Sequence, residues 1–215
     1  NKVFCVSGDS GSGKSSAVIG GMAQRLVKGE GYQFQLPHVI KPADYDSLFQ
    51  LVSALLENIT EDKEQIAIWL QYIEQPKQLA SKVQAYCTSL HFNEQRIQSS
   101  PYLWVIDQSE EVFTHFQGKS SKMAQQLCGL LQAFAEVFEV LIITLIRTEY
   151  RPRIASLWLS PEHHVIVEAP KNKELEDIIH LQMLARRLSF ESSNEEQLSL
   201  EERILNDASG MPLTA

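Results

Sequence analysis

The stretch Gly8-Asp9-Ser10-Gly11-Ser12-Gly13-Lys14-Ser15 decides the fold, because it is a complete GxxxxGK[ST] phosphate-binding loop. It follows the apolar run Val3-Phe4-Cys5-Val6 and precedes Ala17-Val18-Ile19, which is the strand, loop and helix order that the motif requires. Glycines let the chain turn so that successive backbone N–H groups converge on phosphate oxygens. A plain glycine-rich turn between core elements is the alternative, but every constrained position is filled. The motif therefore predicts binding of a nucleoside triphosphate.

The predicted nucleotide contacts come from the loop and the start of the following helix. They are Gly8, Asp9, Ser10, Gly11, Ser12, Gly13, Lys14, Ser15 and Ser16. Lys14 can reach the β- and γ-phosphates, and the Ser15 hydroxyl can ligate Mg²⁺. The helix that opens near Lys14 adds unpaired N–H groups and the positive end of its dipole. This end of the first strand is the expected site of a magnesium-bound nucleotide.

The composition is that of an ordinary globular protein, with 44% hydrophobic and 21% charged residues in a chain of 215. A net charge of −8 argues against a nucleic-acid partner, because affinity for a duplex comes largely from Lys and Arg. Cys5, Cys87 and Cys128 are far apart, so neither a disulfide framework nor a zinc site is expected. The longest apolar run, at 140–146, is too short to span a bilayer. We expect a cytoplasmic location without a membrane partner.

Apolar runs alternate with helical patterns along the first 169 residues, which is typical of a parallel sheet covered by helices. The fold class predicted is α/β, a three-layer P-loop NTPase with a five-stranded, mostly parallel sheet. Strands are expected at 2–7, 32–40, 102–106, 140–146 and 164–168. Helices are expected at 14–27, 44–57, 120–138 and 151–158, and helical periodicity broken at Pro76 makes 58–98 a helical insertion.

The composition becomes charged and helical from Ala169-Pro170 onwards. Helices are expected over 173–188 and after a capping box, Ser199-x-x-Glu202. We therefore predict an NTPase core at 1–169 and the start of a small helical lid at 170–215, truncated at Gly210-Met211-Pro212-Leu213. With no closing element after this segment, the chain is expected to be a module of a longer protein.

A second motif is the apolar strand Leu103-Trp104-Val105-Ile106 ending in Asp107, the Walker B pattern. The carboxyl ends of parallel strands meet at one edge of a sheet, where open α/β folds bind ligands. Asp107 can hold Mg²⁺ there through a water or through Ser15. The alternative is an aspartate that caps a turn.

Hydrolysis also needs a carboxylate that deprotonates the attacking water, and Glu110 is the candidate for this base. Glu111 is expected to be a solvated or helix-capping acid, although one helical step would exchange the two. Arg147, at the end of the fourth strand, could contact the γ-phosphate. Its alternative is a surface ion pair with Glu149, and Arg151 or Arg153 could replace it or act on a neighbouring subunit.

Two other pairs of residues carry weaker signals. Arg186 and Arg187 are expected on a solvated helix face. His163 and His164 have no third ligand at a metal-binding spacing, so a metal site is not expected there.

Four segments resemble the novel STAND-type NTPases, which are related to NACHT and NB-ARC domains. They are Gly8 to Ser16, Val39-Ile40-Lys41-Pro42, the block Asp107-Gln108-Ser109-Glu110-Glu111-Val112-Phe113-Thr114, and the strand ending in Arg147. The D-Q-x-E-E block is the most specific of them. Gly210-Met211-Pro212-Leu213 resembles the G-x-P segment, whose proline packs near the adenine in related folds. Ser109 stands where the block usually has an aromatic residue, and Gln108 leaves no AAA+-type glutamate directly after Asp107.

The resemblance implies an ATPase switch in a signalling or defence protein. Such proteins hold ADP in an off state, exchange it for ATP, self-associate and present an effector, with slow hydrolysis resetting them. The sensor and effector domains would lie outside these residues. Three alternatives stay open: an AAA+-like ATPase acting on nucleic acid or protein, a small-molecule kinase, and a scaffold that binds nucleotide without turnover.

Overall fold

Five continuous, mostly β-branched or aromatic runs form the strands of one parallel sheet in the computed structural model, which describes residues 2–28, 33–94, 100–114, 120–153, 163–171, 174 and 177. The strands are β1 (Val3–Gly8), β2 (His38–Ile40), β3 (Tyr102–Ile106), β4 (Val140–Arg147) and β5 (His164–Ile166). Their order is β2-β3-β4-β1-β5, and all neighbouring pairs are parallel. The predicted α/β class and five-stranded sheet are confirmed.

The strand order brings distant residues together at the carboxyl edge of the sheet. β4 lies between β1 and β3, with Gly8 opposite Arg147 and Ile106 opposite Thr144. The end of β4 therefore separates the end of β1 from Asp107, which follows β3 directly. Sequence periodicity did not predict this order.

The helical elements cover the sheet. After the loop come a π-helical segment (Ser16–Met22), α1 (Ala23–Lys28), a 3₁₀ turn (Pro42–Asp44), α2 (Leu48–Glu57), α3 (Lys63–Leu70), α4 (Pro76–Glu94), α5 (Glu111–Thr114), α6 (Ser120–Val137) and a second 3₁₀ turn (Thr148–Tyr150). Among the helices that the structure describes, none is both long and apolar enough to cross a membrane.

The main core lies between the sheet and the helices α2, α3, α4 and α6. Trp104 of β3 is fully buried, and its ring meets that of Phe134 edge to face at 5.2 Å. Trp69 of α3 and Leu79 of α4 belong to the same hydrophobic cluster. Helical residues from the predicted insertion at 58–98 thus contribute to the central core. Burying side chains of this size contributes about 1.5–3 kcal/mol each.

Several predicted boundaries were wrong for identifiable reasons. Of the described residues of the predicted strand 32–40, only His38–Ile40 form a strand, and 33–37 are irregular. The predicted helix 44–57 starts at Leu48, because the Ser47 hydroxyl caps it by accepting the N–H of Gln50. The break in helical periodicity predicted at Pro76 is present, since α3 ends at Leu70 and α4 begins at Pro76, where the missing N–H costs nothing.

Contacts divide the chain into two compact units, residues 1–8 with 14–166 and residues 9–13 with 167–215. The predicted boundary at 169 stays a prediction. The predicted helices over 173–188 and after the capping box lie outside the described residues, apart from 174 and 177, and so do Arg186, Arg187 and Pro212.

Candidate functional site

The loop at 9–13 has the backbone that its glycines allow. Gly11 and Gly13 take φ values of +76° and +84°, in the left-handed region that residues with a Cβ avoid. The N–H of Ser12 donates to the carbonyl of Asp9 at 3.1 Å, which closes a turn. The Ser12 hydroxyl is buried, and among the described residues it has no hydrogen-bond partner. A buried donor of this kind fits a loop that receives a phosphate oxygen.

Lys14 lies at the carboxyl end of β1. Its ammonium Nζ donates to the Gly8 carbonyl at 2.8 Å. The side chain therefore turns back toward the end of the strand, and its charge is next to the position where β4 ends, because Gly8 pairs with Arg147.

The structure brings together the two residues predicted to hold magnesium. The Ser15 hydroxyl donates to Oδ1 of Asp107 at 2.9 Å. Asp107 is only 5% exposed, and its backbone N–H donates to the carbonyl of Ile40 at 2.8 Å, which fixes it to the end of β2. A hydroxyl and a carboxylate oxygen are the hard ligands that Mg²⁺ prefers, usually with one or two carboxylates and several waters.

The turn 107–110 is tied to the strands on both sides. Ser109 donates its backbone N–H to the carbonyl of Leu145 and its hydroxyl to that of Ile106, both at 2.8 Å. Gln108 is exposed and has a φ of +52°, and its N–H donates to Oδ1 of Asp107. A non-glycine residue in this conformation is strained, and such strain concentrates at functional sites. Nothing in the sequence predicted this left-handed conformation of Gln108.

Glu110 forms an ion pair with Arg147. Its Oε1 is 3.1 Å from Nε of Arg147, and its Oε2 accepts the backbone N–H of Arg147 at 3.2 Å. The predicted alternative for Arg147, a pair with Glu149, is therefore not the ion pair observed. Burial raises the pKa of the Glu110 carboxyl, while backbone hydrogen bonds and the charges of Arg147 and Lys14 oppose the rise.

Glu111 points to another element. Its Oε2 accepts the N–H of Ala43 at 3.2 Å, so it caps the 3₁₀ turn that follows β2 and joins α5 to it. Glu111 was expected to be a solvated or helix-capping acid, and the contact observed is with a 3₁₀ turn of another segment. Because Glu111 is engaged there, Glu110 is the glutamate at the ends of β1 and β4.

The remaining candidates lie elsewhere or have structural contacts. Arg153 lies over the Tyr150 ring, 5.6 Å from its centroid, and Arg151 is exposed. A ring nitrogen of His164 hydrogen-bonds to the Ser7 hydroxyl at 2.8 Å, and the His163 ring packs edge to face on Phe4. The two histidines thus connect β5 and its approach to β1.

Comparisons with solved structures show the same kind of fold. The ORC2 protein of Aeropyrum pernix, in ADPNP and ADP complexes, is similar at 14% identity and a TM-score of 0.53 over 85% of this chain and 46% of that one. A chain of the HORMA:CdnC:Trip13 complex from E. coli MS115-1 is similar at 10% identity and a TM-score of 0.50 over 95% of this chain and 58% of that one. This chain thus spans about half the length of these solved chains. At such low identity the likeness shows the fold alone.

Sequence comparisons give the family. A search of curated proteins finds no match. The family model described as Novel STAND NTPase 1 matches residues 1–215, which is the whole chain. The predicted resemblance is confirmed, and the chain belongs to the novel STAND NTPase 1 family.

Proposed function

We propose that this chain is the nucleotide switch module of a STAND-type signalling or defence protein, binding Mg-ATP and hydrolysing it slowly. The observation that carries the proposal is the presence of two side-chain pairs at the carboxyl edge of the sheet. The Ser15 hydroxyl contacts Asp107, and Arg147 contacts Glu110. These are the types of group that phosphoryl transfer to water requires.

The phosphates would be held by the loop and Lys14. For the loop, this role is supported by its glycine conformations and by the buried Ser12 hydroxyl, which has no hydrogen-bond partner within the described parts of the chain. For Lys14, it is supported by the position of its ammonium at the end of β1. Ser15 and Asp107 would hold Mg²⁺, which neutralises charge that develops on the phosphates when it is bound. The similar ORC2 protein of Aeropyrum pernix forms ADPNP and ADP complexes, and we extend adenine nucleotides to this chain as part of the proposal.

Glu110 would be the general base that takes the proton of the attacking water. Burial raises its pKa toward the working pH, which makes a carboxylate a stronger base. Lys14 and Arg147 would stabilise the transferring phosphoryl group by their charge.

The switch itself is inferred from the family. ADP would keep the module off, ATP would turn it on and promote self-association, and hydrolysis would reset it. Sensor and effector domains would belong to other parts of the protein. A cytoplasmic location and the absence of nucleic-acid and membrane partners are part of the same proposal.

One observation favours a second candidate, a module that binds nucleotide without turnover. Both oxygens of Glu110 are engaged by Arg147, and a carboxylate held in this way is a poor base. The conformation of such a module would still depend on whether ATP or ADP is bound.

Neighbouring glutamates provide the experiment that separates the two. Glu110→Gln should lower single-turnover hydrolysis by about 10²–10⁴-fold, the usual contribution of a general base, while Mg-ATP binding is retained. Glu111→Gln is the matched control and should hydrolyse at nearly the rate of the unmodified chain. If both variants hydrolysed ATP at the rate of the unmodified chain, Glu110 would not be the base. Binding without turnover by the unmodified chain would favour the second candidate.

A further inference from the structure

The carboxylate of Glu110 is held on both oxygens by one residue. Oε1 meets the guanidinium Nε of Arg147, and Oε2 meets the backbone N–H of the same arginine. Two contacts from a single residue fix the carboxylate in one orientation. This arrangement brings the candidate base and the candidate phosphate-contacting arginine into one pair.

The two partners differ in their freedom to move. The Glu110 side chain is 8% exposed, and the turn that carries it is tied to β3 and β4 through Ser109. The Arg147 side chain is 44% exposed and extends from the end of β4 beside Gly8. If the pair opens, the arginine is therefore the partner that moves. Gly8, beside which its side chain extends, and Lys14 lie on the side where phosphates would bind.

We propose that Arg147 is a clasp on Glu110 which a nucleoside triphosphate opens and a diphosphate does not. The γ-phosphate draws the guanidinium away from Oε1, so that the base is released only when the phosphate to be cleaved is present. The pair thereby contributes to discrimination between triphosphate and diphosphate. The inference rests on the proposed function, since it assigns a regulation to the same site.

Energetics set the direction of the effect. Binding of the triphosphate must break the contact between Arg147 and Glu110, and that cost lowers its affinity. Binding of the diphosphate leaves the contact intact, so its affinity carries no such cost. Attraction of Arg147 to phosphate and repulsion of Glu110 by phosphate are separate pairwise effects, and a double-mutant cycle cancels both.

The test is therefore a cycle of Glu110→Gln, Arg147→Gln and the double variant, with affinities measured by calorimetry. The probes are Mg-ADP and the non-hydrolysable β,γ-imido analogue of Mg-ATP. Glu110→Gln should improve analogue affinity about tenfold more in the chain that keeps Arg147 than in the Arg147→Gln background, which is about 1.4 kcal/mol of coupling. For Mg-ADP the two substitutions should be additive.

A second cycle with Glu111→Gln in place of Glu110→Gln is the matched control, and it should be additive for both nucleotides. Additivity in the first cycle for the analogue would mean that the pair persists with triphosphate bound, and this would overturn the clasp. Coupling of equal size for Mg-ADP would overturn it as well, because the diphosphate would then open the pair. If Arg147→Gln fails to fold, Arg147→Lys keeps the positive charge but lacks the Nε donor.

Failure of the proposed function would look different from failure of the clasp. The nucleotide site itself is absent if the unmodified chain binds neither nucleotide. It is also absent if Lys14→Ala leaves the affinity for both nucleotides unchanged. If binding depends on Lys14 but the cycle is additive, the site stands and only the clasp is wrong.

Discussion

The turn Asp107–Glu110 and the segment Ser16–Met22 both follow strands that end at the same sheet edge, yet they are built in opposite ways. Three of the four turn residues are buried, and backbone and side-chain hydrogen bonds tie the turn to β2, β3 and β4. The segment buries only Val18, contains Gly20 and Gly21, and is wound as a π-helix, a form often found at functional sites.

The difference separates a fixed half of the site from an adaptable half. In the turn, strands on both sides determine where the metal-binding carboxylate and the base lie. In the segment, few tertiary contacts oppose a change of helical winding, so its conformation depends more on its own sequence. Substitutions in the turn should therefore mainly remove specific contacts, while substitutions in the segment should mainly change backbone preference.

Within the fixed half, the largest effect on nucleotide affinity is expected from Asp107→Asn. Loss of the carboxylate charge should lower Mg²⁺-dependent nucleotide affinity by about 10–100-fold, as for other changes around metal ligands. Titration of ATP with Mg²⁺ and with a chelator measures the effect, and only the titration with Mg²⁺ should change. Equal losses in both titrations would place Asp107 outside the metal site.

The next largest effect is expected from Ser109→Ala. It removes the buried hydrogen bond to the Ile106 carbonyl, which has a length of 2.8 Å. The free energy of unfolding in urea should fall by about 1 kcal/mol. Ser47→Ala removes the cap of α2, which is outside the turn. It should lower the free energy of unfolding by a similar amount and leave nucleotide affinity unchanged.

In the adaptable half, Gly20→Ala and Gly21→Ala should each stabilise the protein by about 0.5–1 kcal/mol. An added Cβ meets no atom within 4 Å at either position, and neither glycine has a left-handed φ. The gain comes from the lower entropy of the unfolded chain. Urea unfolding checks it, and Gly13→Ala, at a φ of +84°, should instead destabilise. A loss of stability at 20 or 21 would contradict the open packing of this segment.

The smallest effect is expected from the reverse kind of substitution, in which a residue of the turn is replaced by glycine. Gln108→Gly should stabilise the turn by about 0.5 kcal/mol, because glycine relieves the strain of a φ of +52° but loses more entropy on folding. Gln132→Gly, at an exposed position within α6, should cost about 1 kcal/mol in the same urea experiment. If both substitutions destabilised equally, the left-handed turn would carry no strain.

Features that depend on local patterns were largely predicted from the sequence. β1, β3 and β4 were predicted to within one residue, because each is a continuous apolar run bounded by turn residues. The contact between Ser15 and Asp107 was expected because each belongs to a motif whose magnesium chemistry is known. The role of Glu111 as a cap was also among the expectations.

Features that depend on the sheet order were not predicted. Glu110 and Arg147 are 37 residues apart, and they pair because β4 lies beside β3. Periodicity describes one element at a time and carries no information on which strands are neighbours. The π winding at 16–22 and the left-handed Gln108 were missed because residue types alone did not specify either conformation.

Nucleotide binding by the phosphate-binding loop is tested most directly by a calorimetric titration of Mg-ATP into the unmodified chain and into Lys14→Ala. Lys28→Ala, at the exposed end of α1, is the matched control for loss of a lysine charge. We expect saturable binding at one site in the unmodified chain and in Lys28→Ala, and loss of this binding in Lys14→Ala. Absence of binding in the unmodified chain, or binding that survives Lys14→Ala unchanged, would contradict this expectation.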